Sequence, residues 1–394
     1  MSGRALFCQP RRIRRGAALT LVFTSVLVAG AATGSLPGGE RGTADDGARS
    51  AAPVGHHAEV ARAAEEAAAD GTSPMEAAQR AVSRSGDRWA AVYSPGEYEE
   101  FEDSLDGRYT GVGLWARARD GRIEVTRVGS DTPAAEAGIR AGDRLRSVDG
   151  RKVDGRPVTE VVSLLRGDTT GESAGSTVRL GLERGSRSWH ETVRRARLSR
   201  DTVTVRELAS GVTVIEVCAF TKGSGEQVRT AVRQAPAAAG IVLDLRGNSG
   251  GLVAEAVTAA SAFLDGGLVS TYDVEGEQRA LHAEPGGDTD RPLVALVDGG
   301  TMSAAELLTG ALQDRGRAVV VGSRTFGKGS VQMPTELPDG SVAELTVGHY
   351  RTPSGRGVDG HGLTPDVEAD EEALQRAETV LSGLGRQDDA PGPR

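Results

Sequence analysis

Apolar positions along this chain follow two different periods, and the change from one to the other marks its parts. An Ala-rich helical stretch runs to about residue 69, and Ser73-Pro74 opens a second one with Met75, Ala78 and Val82 at helical spacing. The stretch "DRWAAVYSPGEYEEFEDSLDGRYTGVGLW" then turns to aromatic and turn-forming residues. Between 107 and 198, "GRIEVTRV" and "STVRLGLER" alternate in the manner of half-buried strands, while "DTPAAEAGIRAGDRLRSVDGRKVDG" sets Pro, Gly and Asp at turn positions. Short strands with one helix are expected there. Beyond 199, apolar runs alternate with helical periodicity. Ile241 to Leu245 reads as a buried strand, followed by a loop with Gly247, Asn248, Gly250 and Gly251 and a helix carrying Val253, Ala256, Val257 and Ala260 on one face. "PLVALVDGGTMSAAELLTGALQDRG" repeats the plan, with Leu293 to Val297 as strand and Leu307, Leu308, Ala311 and Leu312 on the helix. A last helical pattern, Glu371 to Ser382, carries Leu374, Ala377, Val380 and Leu381 and is expected to pack on the body or on a second subunit. No internal repeat is visible.

Strand, turn and helix in succession is an α/β arrangement, and ligands in such sheets gather at the turns after the strands. A chain of 394 residues is expected to form two or three domains. With 38% apolar residues but only 4% aromatic ones, its core must be built from Ala, Val and Leu.

The net charge is −9 although five arginines (Arg4, Arg11, Arg12, Arg14, Arg15) crowd the first fifteen residues, so the remainder is more acidic still. Nucleic acid is therefore excluded as an expected partner, because phosphate binding needs a basic face. "RRIRR" followed by "GAALTLVFTSVLVAGAATG", with no charge until Glu40, reads as a secretory signal with small residues Ala29-Gly30-Ala31 offering a cleavage site. The alternative is an uncleaved anchor, since the run approaches the roughly 20 residues needed to span a bilayer. Either reading places the rest outside the cytoplasm, with membrane contact only through this segment. Two cysteines, Cys8 and Cys218, suggest neither a disulfide framework nor a zinc site; Cys218 in "VTVIEVCAF" reads as a buried small hydrophobe. No metal or cofactor is expected.

Ser303 stands where the second strand run turns into a helix. Ser-Ala-Ala-Glu at 303 to 306 also matches a capping box, so the motif alone fits helix capping as well as catalysis. Lysine usage separates the two. Of 46 basic residues only Lys152, Lys222 and Lys328 are lysines. Arginine supplies a fixed positive charge but does not give up its proton, whereas a lysine in an apolar site can act as a base. Lys152 lies in the turn "DGRKVDG" and Lys222 in a glycine-rich loop with no clear partner. Lys328, in "RTFGKGSVQ", follows the apolar run "RAVVVG"; Gln332, four residues on, would share its face on an extended strand and could hold a neutral amine. A solvated charge in a glycine turn is the competing reading of Lys328.

The segment "YTGVGL", "DTPAAEAG" and "AGDRLRSVDG" together resemble a PDZ domain. In that fold a glycine-containing loop offers backbone N–H groups to a terminal carboxylate while the peptide adds a strand to the sheet edge. Here Gly111, Val112, Gly113 and Leu114 occupy that place. Behind it, "DLRGNSGGL", "GTMSAAELLTGALQDRGRAVVVG", "TFGKGSVQ" and "GHGLTPDV" resemble, in order, the C-terminal processing proteases, over roughly residues 85 to 370 and with the family's serine-to-lysine spacing of 25. The resemblance implies a multidomain α/β protein: a crotonase-like serine protease core of strand-turn-helix units with an inserted PDZ domain and an N-terminal helical segment. The implied divisions are a signal or anchor at 1–42, a linker at 43–56, an N-terminal helical part at 57–106, the PDZ domain at 107–198, the core at 199–370, and a helix with a disordered tail at 371–394. It further implies Ser303 as nucleophile, Lys328 as general base and Gln332 as the group orienting it, with an oxyanion hole from Gly250 or Gly251 and Ala304. Family members usually read Ser-Ala-Ser-Glu; Ala305 replaces the second serine, which leaves the nucleophile in place. The implied protein is a bacterial, extracytoplasmic endopeptidase acting on proteins or peptides with accessible C-termini; an adaptor or a homo-oligomer is left open.

Two alternatives stand beside this reading. A Ser-His-Asp hydrolase would use His361 or His349, although no G-x-S-x-G elbow surrounds Ser303. A tail-capturing protein that does not cut would be expected to have lost Ser303, Lys328 or Gln332, and all three are present.

Overall fold

Four parallel strands of the C-terminal half, Thr213–Val217, Ile241–Asp244, Leu293–Val297 and Val319–Gly322, lie side by side in the centre of a six-stranded sheet. Val203–Glu207 closes one edge in antiparallel fashion and Val367–Glu368 the other in parallel. The structure, a computed structural model, describes residues 54–119, 121–167, 174–236, 240–274 and 277–384. The leader or anchor expected at 1–42, the start of the expected linker and the tail from 385 lie outside the described residues.

Alternation along the strands sorts their side chains onto two faces. Ile241, Leu243, Leu293, Ala295 and Val297 join Leu307, Leu308 and Ala311 of one helix and Ala256, Ala259 and Ala260 of another in the main core. Val242, Val294, Leu296 and Val321 face the opposite way, against Ala373, Ala377 and Leu381 of the helix Ala373–Leu384. That closing helix thus covers the body's own sheet. Cys218, expected to be buried, is only half-buried and stands one residue beyond the end of its strand.

A second sheet in the same unit runs Ala91–Tyr93, Val342–Arg351, Leu268–Val274 and Glu277–His282, with Ser330–Glu336 paired along Val342–Arg351. The helix Val54–Ala69 begins inside the span expected as linker, and the next, Pro74–Ser85, is capped by the side chain of Ser73. Both helices pack Val60, Ala64, Ala78 and Ala81 against Leu337, Ala343 and Leu345.

Residues Arg108–Arg200 form a separate compact unit; the other joins the described parts of Gly47–Gly107 and Asp201–Arg394. The smaller unit has a sheet ordered Leu114–Arg119, Arg122–Val128, Arg144–Val148, Thr177–Arg184 and Arg187–Arg194. It holds two helices where one was expected: Val158–Arg166, and a single turn, Pro133–Glu136, started by Thr132. Its core is built from Ile123, Val125, Leu145, Val161, Leu180 and their neighbours. Arg195 is wholly buried there and donates to the Leu164 and Leu165 carbonyls, closing the end of the helix Val158–Arg166. Among the described residues no helix is long and apolar enough to cross a membrane.

Candidate active site

Ser303 occupies the N-cap of the helix Ala304–Asp314 with φ 52° and ψ −118°. A positive φ is uncommon for a residue with a Cβ and costs of order 1–3 kcal/mol unless the surroundings hold it. Its Oγ lies near the first-turn N–H groups, as in a capping box, but makes no cap hydrogen bond of normal geometry. The reverse half of the box is well formed: Glu306 Oε2 accepts from the Ser303 N–H at 2.9 Å.

Glu306 does considerably more. It is fully buried, and its second oxygen accepts from Gly327 N–H at 2.7 Å and from the Thr325 hydroxyl. Oε2, which holds Ser303, also accepts from the Lys328 N–H at 2.9 Å. Burial pushes the Glu306 carboxyl upward, and these donors oppose the shift. Since every partner can donate, the geometry suits a carboxylate. Tyr350, also buried, places its hydroxyl 2.9 Å from both the Ser303 carbonyl and the Lys328 carbonyl.

Of the three lysines, Lys152 and Lys222 are exposed, whereas Lys328 is 8% exposed. Its Nζ lies over the Trp89 ring, 5.1 Å from the centroid, and Phe326 packs on the same indole. Burial holds the Lys328 amine below the ordinary lysine range, and the nearby charges of Glu344 and Asp87 work against that shift. Glu344 is itself pushed up by burial, with Lys328 pulling it down. The Asp87 carboxylate takes the N–H groups of Trp89 and Thr346, which fixes the aromatic wall to the strand Val342–Arg351. Gly329 has a steric reason: a Cβ there would lie 2.4 Å from the Asp359 nitrogen. The Gln332 amide donates to Ser330 Oγ at 2.9 Å, and the strand register shifts between Val331 and Gln332, so the regular alternation that would put Gln332 on the face of Lys328 is broken.

Opposite Ser303 runs the loop after Ile241–Asp244. Gly250 abuts the serine, since a Cβ on it would fall 2.9 Å from Ser303 Cβ and 3.2 Å from the Ala304 nitrogen. Its own N–H is used, donating to Asn248 Oδ1 at 2.8 Å. The N–H groups of Gly251 and Ala304 have no hydrogen-bond partner among the described residues. Of the two glycines expected to serve an oxyanion hole, Gly251 therefore keeps a free donor and Gly250 supplies close approach. Asn248 organises this corner, with its amide on the Val217 carbonyl and its own carbonyl accepting from Met302 N–H.

His361 is exposed with Nδ1 2.8 Å from the Asp359 carbonyl oxygen, and His349 is exposed with Nε2 3.9 Å from Asp359 Oδ2. In the smaller unit, Gly111, Val112, Gly113 and Leu114 line one pocket together with Trp115, Val162 and Leu165. Arg166 and Arg200 stand at the same pocket.

Fold and site together define a class: an α/β core presenting a serine at a helix start beside a glycine turn, accompanied by a PDZ-type unit. Comparison with known proteins agrees. Residues 211–369 match the model of peptidase family S41, and residues 124–184 match that of the PDZ domain. The chain is 34% identical over 308 residues to carboxyl-terminal-processing peptidase 3, chloroplastic, of Arabidopsis thaliana, covering 73% of this chain and 58% of that protein. It is 30% identical to the carboxy-terminal processing protease CtpA of Bacillus subtilis, covering 72% of this chain and 61% of that one. It thus spans less than two thirds of either relative's length. A solved structure, the photosystem II D1 C-terminal processing protease, aligns with a TM-score of 0.50 at 29% identity, over 79% of this chain and 86% of that one. The chain belongs to the C-terminal processing protease family.

Proposed function

We propose that the protein is an extracytoplasmic serine endopeptidase in which Ser303 attacks the peptide carbonyl and Lys328 takes its proton. The observation that carries this reading is the sharing of two hydrogen-bonding groups, Glu306 Oε2 and the Tyr350 hydroxyl, by the backbones of Ser303 and Lys328. A serine hydroxyl is a weak nucleophile until a base removes its proton, and a desolvated lysine can do so near neutral pH. Attack of Ser303 Oγ forms a tetrahedral oxyanion, for which the free N–H groups of Gly251 and Ala304 are the donors. Collapse expels the amine, which takes the proton from Lys328; water then gives a proton to the same lysine as it attacks the ester, and that proton returns to Ser303 Oγ as the acid product leaves. The role of Gln332 in orienting the amine rests on the family resemblance alone, since its amide donates to Ser330 Oγ.

Substrate tails ending in a free carboxylate dock on the backbone of Gly111–Leu114, with the apolar lining from Val162 and Leu165 taking the last side chain. Location outside the cytoplasm is supported by the basic and then uncharged start of the chain, read as a leader or an anchor.

The test is degradation of an unfolded protein by wild type, Ser303→Ala, Lys328→Met and His361→Ala. Loss in the first two variants and retention in the third is expected; loss in His361→Ala with retention in Lys328→Met would replace the dyad by a histidine mechanism. Gly111→Asp should weaken processing of tail-bearing substrates far more than cleavage of short peptides, and equal effects on both would remove the docking role.

A further inference from the structure

The glutamate that the sequence offers as half of a capping box reaches out of its helix to a second loop, and a tyrosine from a third element completes the connection. One carboxylate oxygen, Glu306 Oε2, accepts both the Ser303 and the Lys328 N–H, and one hydroxyl, that of Tyr350, meets both the Ser303 and the Lys328 carbonyl. We propose that Glu306 and Tyr350 are positioning residues that lock the two backbones into one frame and so hold Ser303 Oγ and Lys328 Nζ in proton-transfer register. This rests on the Ser303/Lys328 reading above.

Three features carry it. Both backbone polar groups of Ser303 are gripped, on either side of a positive φ that would otherwise relax. The grip is made inside the protein, by side chains that are 0% and 2% exposed, where an unmade hydrogen bond is costly and a made one is rigid. The two groups also come from separate elements. Glu306 lies in the helix after Ser303, and Tyr350 lies near the end of the strand Val342–Arg351, so the helix, the Lys328 loop and the second sheet are tied at one point. Helix capping needs only the Ser303 bond; the bonds to Thr325, Gly327 and Lys328 serve no cap.

The experiment compares the full chain with Tyr350→Phe and Glu306→Gln, with Ser303→Ala and Lys328→Met alongside. Turnover of an unfolded protein, thermal melting, and the rate at which a fluorophosphonate probe labels Ser303 per folded molecule are measured. Tyr350→Phe keeps the ring and removes the shared hydroxyl, so kcat should fall by about tenfold to a hundredfold with KM within about twofold, the loss expected of an ångström-scale misplacement. Probe labelling should slow in the same proportion. Glu306→Gln keeps the shape but turns two of its hydrogens toward donors, so it should slow labelling at least as much. It also covers the case in which Tyr350→Phe does not fold. Turnover and labelling in both variants within about twofold of wild type per folded molecule, with Ser303→Ala and Lys328→Met inactive, would overturn the clamp and leave the dyad standing. Full activity in Lys328→Met would instead overturn the dyad, and the clamp with it.

Discussion

Two strand-turn-helix units lie next to each other in the central sheet, paired in parallel register from Ile241 and Leu293 to Asp244 and Leu296, yet they turn from strand to helix differently. The first uses glycines at positive φ, Gly250 at 93° and Gly251 at 128°, where a glycine carries no steric cost. The second places Ser303 at φ 52°, one of three non-glycine residues with positive φ among those described. Glycine would be the more stable choice there. A strained serine beside an unstrained glycine turn is the pattern expected of the proposed nucleophile and its oxyanion donors, and Glu306 and Tyr350 bond the serine's backbone on either side of the positive φ.

The largest effect is expected at the glycine turn. In Gly251→Ala the new Cβ would lie 2.3 Å from the Phe220 carbonyl oxygen, which cannot yield without breaking the isolated bridge between Phe220 and Gly251. A loss of about 3–5 kcal/mol, strain and overpacking together, is expected in denaturant unfolding, and Ser303 labelling should vanish. An alanine variant as stable as wild type would show that the turn is not fixed as described.

The serine side predicts the opposite sign. Ser303→Gly should be about 1 kcal/mol more stable than Ser303→Ala, because it relieves the positive φ that alanine retains. Both should be inactive. Equal melting of the two variants would mean that the backbone at 303 carries no strain. Lys328→Met should likewise lose activity while melting higher than wild type, since methionine does not have to lose hydration on burial.

The smallest effect concerns pH. In the proposed dyad Lys328 serves as a base only when neutral; burial lowers its pKa, so activity should be lost as pH falls through that lowered value and regained above it. Glu344 opposes the lowering. Glu344→Gln should therefore move the acid limb of kcat/KM to lower pH, and a limb that stays in place or moves upward would show that Glu344 does not act on the lysine.

Much of this was readable from sequence because it is local. Strand alternation and helical spacing report which face is buried, the Ser303-to-Glu306 spacing announces a cap, and the scarcity of lysine singles out Lys328. Glu306 was visible only as a capping residue, since its bonds to Thr325, Gly327 and Lys328 depend on a loop nineteen or more residues away. Tyr350 carries no local signal at all: in "VAELTVGHYR" it is one more inward position of a strand. Trp89 sits against Lys328 although the chain between them is long, and Gly250 and Gly251 could not be told apart until Asn248 was seen to take the N–H of one. Contacts of this kind are set by how sheets and loops close on each other.

Whether Lys328 is the base is tested most directly by the pH dependence of Ser303 labelling by a fluorophosphonate in wild type, Lys328→Met and His361→Ala. Labelling should rise with pH through one ionisation below the ordinary lysine range, His361→Ala should keep this profile, and Lys328→Met should lose it. A profile that survives in Lys328→Met and disappears in His361→Ala would make the histidine, and not the lysine, the base.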